Sequence, residues 1–113
     1  MTNNLVPGDV YRLYFTNEPP EPGGKDRPGL FLGFKNEQNI WIVLKVTGKE
    51  YRDKRVKINH PLTGGIGLSK DSWAQCDWYL LLPSNVRLGT YYGRLHPQDL
   101  QRIMMRFQDL HSN

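Results

Sequence analysis

The chain has 113 residues, 38% apolar, 23% charged and 12% aromatic, which is one globular domain spanning 1–113, excludes two, and holds a core without disulfide or metal. The single cysteine, Cys76, has no internal partner, the first eight residues lack a basic start followed by an apolar stretch, and no run of about 18 apolar residues occurs, so secretion and membrane spanning are not expected and a reducing, cytoplasmic setting is. The net charge of +4 excludes little, but residues 1–26 carry −2 while 49–57 hold five basic residues against two acidic and 87–107 hold four arginines against Asp99. A polyanion would meet two basic segments if the fold joins them, and a solvated strand and helix face explains the same charges equally well.

In chain order, Asp9–Phe15 alternates with period two and is aromatic, which predicts a strand. The following TNEPPEPGGKD segment, with three prolines and two glycines, predicts an exposed loop. Pro28–Phe34 and Asn39–Thr47 predict a hairpin about a polar turn at Lys35–Gln38. In its second strand Ile40, Ile42, Leu44 and Val46 take one face, and Trp41, Val43, Lys45 and Thr47 the other. Tyr51–Asn59 reads as a half-exposed strand with Arg55 and Lys57 opposite Val56 and Ile58. Gly67–Ser72 reads as a short connection, Trp73–Leu82 as a long strand whose only charge is Asp77, and Val86–Tyr92 as a closing strand. Pro97 at the first helical position, Asp99 in the first turn and a Leu95–Leu100 staple start a helix, along which Leu100, Ile103, Met104, Phe107 and Leu110 form an apolar stripe. The fold class is therefore mainly β with a C-terminal helix, a small curled, barrel-like sheet.

Most signatures of catalysis are missing. There is no phosphate-binding GxxxxGK[ST] loop, GxSxG elbow or HExxH, and His60, His96 and His111 are too scattered to suggest a metal site. His96 reads as a backbone partner at the helix start, His60 as a turn residue with an outside chance of meeting a ligand, Cys76 as a buried small hydrophobe, and the GGIG run as a turn. Arg27, between the Pro/Gly loop and Pro28, is placed as a phosphate clamp, because a guanidinium matches phosphate bidentately and keeps its charge. On spacing alone a salt bridge to Asp26 or Glu21 is the simpler reading of it.

Six short motifs, in order, resemble the MazF/PemK-like toxins of bacterial type II toxin–antitoxin systems. They are Gly8-Asp9-Val10, the Arg-Pro pair ending Lys25-Asp26-Arg27-Pro28, Val46-Thr47, Gly67-Leu68-Ser69-Lys70-Asp71-Ser72, the strand carrying Asp77, and Leu88-Gly89 through Gly93-Arg94-Leu95 with the helix from Pro97. The resemblance implies an SH3-like barrel of the MazF/PemK/CcdB kind and a homodimer. It implies a sequence-selective, metal-independent endoribonuclease acting on single-stranded RNA with no cofactor, and an antitoxin whose C-terminal segment lies in the substrate groove. It makes Arg27 and Thr47 the catalytic pair and aligns Asp77 with an acid that some members use as a base or base-reading contact, though pairing with a lysine explains a lone acid as well. Lys25, Lys45, Lys54, Arg55 and Lys57 would then steer the RNA strand, with bases stacking on Tyr51. Gln75 and Gly48 depart from the family pattern, which has a basic residue and Ser or Ala there in some members. The alternative is a non-catalytic binding module of the same fold, such as a CcdB-like gyrase inhibitor, since a fold does not fix a function.

Overall fold

The computed structural model describes residues 4–15, 25–35 and 39–112, with backbone alone for Lys25 and Arg52. Most of the Pro/Gly loop and of the Lys35–Gln38 turn lies outside the described residues. The strands are β1 (Asp9–Phe15), β2 (Lys25–Phe34), β3 (Ile40–Thr47), β4 (Arg55–Lys57), β5 (Trp73–Gln75), β6 (Leu80–Pro83) and β7 (Tyr91–Arg94), followed by the helix α1 (Pro97–His111). They form one antiparallel sheet in the order β4-β5-β3-β2-β1-β7, with β6 also paired to β3. The sheet curls, because the chain leaving β4 reaches the opposite edge by Thr63, which bridges Arg94 on β7. The curl stops short of a closed ladder among the described residues.

Three expected strands take a different form. The Trp73–Leu82 strand is interrupted: β5 pairs with Val46 and Thr47, β6 pairs with Ile40–Val43, and the register differs by three residues between the two pairings. Cys76 to Tyr79 absorb the difference, and Asp77 sits in that interruption rather than inside a strand. The Tyr51–Asn59 segment keeps only three strand residues, because Arg52–Lys54 wind into a 3-10 turn before β4. The closing strand starts at Tyr91 rather than Val86.

Both faces of β3 are buried, as its two apolar sets require. Leu44 and Val46 join Val10, Leu30, Leu32 and Ile103 in one cluster, whereas Trp41 and Val43 join Leu13, Phe15 and Phe31 in the other. The stripe of α1 closes the first cluster through Leu100, Ile103, Met104 and Phe107; Leu110, in the last turn, stays exposed. The GGIG run is a close approach as well as a turn: a Cβ on Gly65 would lie 2.5 Å from the backbone nitrogen of Gly93. Gly93 itself has φ +123° and faces the Thr63 carbonyl, so the two glycines let the segment after β4 lie directly on β7. No helix among the described residues is long and apolar enough to cross a membrane.

The helix is fixed at its first turn. His96 is the N-cap, its Nδ1 accepting from the Gln98 N–H at 3.1 Å, as its sequence position suggested. Asp99 does more than favour the helix dipole. Fully buried, it accepts from the backbone N–H groups of Asn59 at 3.1 Å and His60 at 2.8 Å and from Arg102 at 2.6 Å, tying α1 to the chain after β4. Burial alone would raise the pKa of Asp99, but the hydrogen bonds from Arg102, His60 and Asn59 outweigh it and hold the carboxyl below its ordinary value.

A group whose folded pKa is depressed stabilises the fold above its unfolded pKa, and that stability is lost as pH falls through the folded value. Asp99→Ala should therefore cost roughly 2–4 kcal/mol at neutral pH, the range for orphaning buried partners. That lowers the melting temperature by on the order of 10 °C. Melting curves recorded from neutral pH down should show the gap to wild type narrowing below about pH 4; a gap independent of pH would show that the carboxylate charge does not matter.

Candidate active site

Register places the two residues of greatest chemical interest side by side. Leu13 on β1 pairs with Arg27 on β2, Gly29 pairs with Lys45, Thr47 pairs with Trp73, and Trp73 pairs with Lys57. Continuing the β2–β3 register by two residues puts Arg27 across from Thr47, so Leu13, Arg27, Thr47, Trp73 and Lys57 form one row across five strands. From Arg27 to Lys57 that row spans three inter-strand spacings of about 4.8 Å each.

The β2–β3 ladder nevertheless stops at Gly29 and Lys45, one residue short of Pro28. Phe31 directs its carbonyl to Gly8, on the β1 side. Because successive strand residues alternate their hydrogen-bonding direction, the nitrogen of Pro28 faces β3. Proline has no N–H to donate, so that half of the next rung is missing. The ladder ends there, and a hollow of about 400 Å³ beside it is lined by residues from both faces, Arg27, Pro28, Val46 and Thr47, together with Lys49, Lys70 and Tyr92. Thr47 is 8% exposed, and its Oγ1 accepts from the Lys49 N–H at 3.3 Å. That bond occupies a lone pair and leaves the hydroxyl hydrogen to donate into the hollow.

Arg27 and Thr47 are thus brought together. The expectation that Pro28 opens β2 is corrected, since the strand starts at Lys25 and runs through the proline. Asp26 pairs with Arg12 at 3.2 Å, while Glu21, the other acid expected near Arg27, lies outside the described residues, as does the Lys25 side chain. Lys45 shares the face of Thr47 but is 1% exposed, which corrects its expected steering role: the face continues inward from Val43, and the side chain lies in the interior. Asp77 is exposed and is not among the residues lining the hollow. Tyr51 is exposed, with Lys54 Nζ and Arg55 Cζ each 5.6 Å from its ring centre. Lys57 lies 5.7 Å over Trp73 and 3.7 Å from Asp71. These cations and rings form an outward strip on the edge of the sheet, Val56 and Ile58 packing inward as expected.

Lys49, Lys70 and Tyr92 are site residues that the reading of the sequence passed over. The signal for Lys70 was present in the Gly67–Ser72 motif, which was read as a connection because it has neither strand nor helix periodicity. A second hollow of about 380 Å³ lies on the other side of the Leu68–Ser72 segment, against Asn59, His60 and Leu62. His60 lines it, with its ring stacked on His96 at 4.0 Å and Nδ1 3.2 Å from Asp99. Among the described residues no three His, Cys, Asp or Glu side chains are grouped to hold a metal ion.

A family model for the PemK-like, MazF-like toxins of type II toxin–antitoxin systems matches residues 7–111. The chain belongs to this toxin family. Two solved structures from mycobacterial species share its fold. One is an endoribonuclease, 15% identical with a TM-score of 0.67, the match covering 97% of this chain and 93% of the other. The second is an endoribonuclease in complex with its cognate antitoxin, 16% identical with a TM-score of 0.62, covering 94% and 93%. No curated protein matches. The resemblance in the six sequence motifs and the expected mainly β architecture with a C-terminal helix are both borne out.

The cysteine of this MazF/PemK-like toxin is not part of the site. Cys76 is fully buried, its thiol within reach of the Ala74 and Ile103 carbonyls. Burial, with a smaller contribution from Asp77 and against the pull of Arg106, pushes the thiol up to about 12. At pH 8 the folded protein should therefore resist iodoacetamide, and mass spectrometry should show one modified thiol only after unfolding. Rapid alkylation of the native protein would contradict this placement.

Proposed function

We propose that this toxin is an endoribonuclease that cuts single-stranded RNA at selected sequences without a metal, and that Arg27 and Thr47 hold the scissile phosphate. The observation that carries the reading is the hollow at the end of the β2–β3 ladder, which Arg27 and Thr47 line together. The chemistry asks for little more. The RNA's own 2′-oxygen attacks the adjacent phosphorus, the bond to the 5′-oxygen breaks, and overall one proton passes from the 2′-oxygen to the 5′-oxygen, leaving a 2′,3′-cyclic phosphate and a 5′-hydroxyl. Charge accumulates on the non-bridging oxygens as the fifth bond forms. A fixed guanidinium and a hydroxyl aimed at those oxygens stabilise it without reorganising.

The strip of exposed Tyr51, Lys54 and Lys57 with half-buried Arg55 continues the same face two strands away, and supports the reading by giving the rest of an RNA strand stacking surface and positive charge. The same surface suits an acidic antitoxin segment, which would inhibit by occupying the groove. Exposed Tyr14, Phe34 and Leu81 give a homodimer apolar surface to bury. Asp77 enters as a contributor to proton transfer or to base contact from outside the hollow.

The purified protein should cleave RNA in the presence of EDTA and leave cyclic phosphate ends; strict dependence on a divalent ion would overturn the metal-free reading. Arg27→Ala should slow cleavage roughly 100- to 1000-fold, as removal of one charge-stabilising donor does, at a stability cost near 1 kcal/mol. Arg27→Lys should recover part of the rate, since it keeps the charge and loses the fork. Asp77→Asn should slow the reaction less than Arg27→Ala. An Arg27→Ala protein cutting at the wild-type rate would overturn the role of Arg27, and a wild type that cuts no RNA would move the non-catalytic binding module ahead. Sedimentation at micromolar concentration should give a dimer, and a monomer would count against the shared interface.

A further inference from the structure

Two hollows flank the Leu68–Ser72 segment, and Lys70 lines both of them. Its position is set on two sides. The Ser72 hydroxyl donates to the Lys70 carbonyl at 3.0 Å, and the Ser72 carbonyl accepts from Ile58 N–H at 2.9 Å, which ties the segment to the end of β4. The far end of the side chain lies over Gly48: a Cβ there would be 2.8 Å from Lys70 Cε and 3.1 Å from Nζ. Gly48 directly follows Thr47, so the missing side chain is what lets an ammonium rest beside the Arg27/Thr47 hollow.

The neighbouring acid does not neutralise it. Asp71 faces Lys57 at 3.7 Å, and among the described residues Lys70 has no carboxylate partner. It is exposed, so its charge is available to an anion arriving from solvent. A polynucleotide with one nucleotide in each hollow must carry its backbone across the Leu68–Ser72 ridge, and the cation on that ridge meets a phosphodiester there.

We propose that Lys70, seated over Gly48 between the two hollows, binds the phosphate next to the scissile one, so that single-stranded RNA is held across both hollows. The inference rests on the nuclease reading for which phosphate is cut, but the binding contact itself does not require cleavage. It assigns the His60-lined hollow to the neighbouring nucleotide. A lone ammonium on a phosphate reads no base, so its contribution is the same for every sequence.

The test separates binding from cutting. The probe is a short fluorescein-labelled oligomer of 2′-O-methyluridine, which cannot be cleaved because the nucleophile is blocked, and its affinity is measured by anisotropy across a salt series. Lys70→Ala should weaken binding about tenfold at low salt, as loss of one charged hydrogen bond does. It should also flatten the log–log salt dependence by about 0.7, the value for one phosphate contact on a single strand. Lys70→Arg should restore the slope. Gly48→Ala should weaken binding in the same direction, because its Cβ displaces the end of the lysine at little cost to the fold. In parallel, Lys70→Ala should raise KM on a cleavable RNA while leaving kcat near the wild-type value. A Lys70→Ala protein with the wild-type salt slope overturns the proposal, whether or not the wild type cuts RNA; so does a wild type that fails to bind the probe at all. A wild type that binds with a Lys70-dependent slope and never cuts RNA supports the phosphate contact while overturning the nuclease reading.

Discussion

Strand β3 is buried on both faces from Val43 to Val46, and a strand with two apolar faces needs a layer on each side. The helix and the chain around it supply one layer; Leu5, Trp78, Val86 and Leu88, packed against the other cluster, supply the second. Because side chains alternate, whichever residues follow the last apolar pair must inherit these same two directions. Thr47 therefore inherits the side of Val43, at the point where the strand leaves its partner β2. The site is the continuation of a core face beyond the end of its packing.

Two carboxylates hold the frame at its ends. Asp99 fastens α1 to the chain leaving β4. At the start of β1, buried Asp9 accepts from Tyr91 at 2.9 Å and Arg94 at 3.0 Å, both on β7, and from the Val6 N–H at 3.0 Å. Burial and the hydrogen bond to Asp9 both raise the pKa of Tyr91, so its hydroxyl keeps the proton it donates. Asp99 joins elements that share no ladder, whereas Asp9 reinforces the β1–β7 pairing at its end, where Asp9 lies opposite Arg94; neither residue lines the Arg27 hollow.

What could be read from the sequence follows this division. The alternation in Ile40–Thr47 showed both faces of β3 correctly, because strand geometry leaves only two directions, and the capped stripe after Pro97 showed α1. The interruption at Cys76–Tyr79 was hidden: an unbroken run of apolar and aromatic residues is compatible with a continuous strand, and the three-residue slip appears only when β3 is available as a partner. Lys45 was misread for a related reason, since a lysine in an alternating strand signals an exposed face unless a second layer covers it. Arg27 and Thr47 are twenty residues apart, and nothing local brings them together. Their adjacency came from the family resemblance, and register supplies its physical basis. Lys70 stood within the Gly67–Ser72 motif, but its relation to Gly48 exists only in three dimensions.

Pro28 removes one backbone donor from the end of the β2–β3 ladder for good. Had an ordinary residue stood there, its donor would have sought an acceptor on β3, and a ligand entering the gap would first have had to break a backbone hydrogen bond. With proline that donor is absent, so whatever occupies the hollow beside it has no bond from the residue-28 nitrogen to break. The end of a ladder is a local edge, and an edge invites another strand; a proline there offers a visiting backbone no N–H to pair with. A peptide segment lying in the hollow would therefore be held at this position by its side chains rather than by a donor from residue 28.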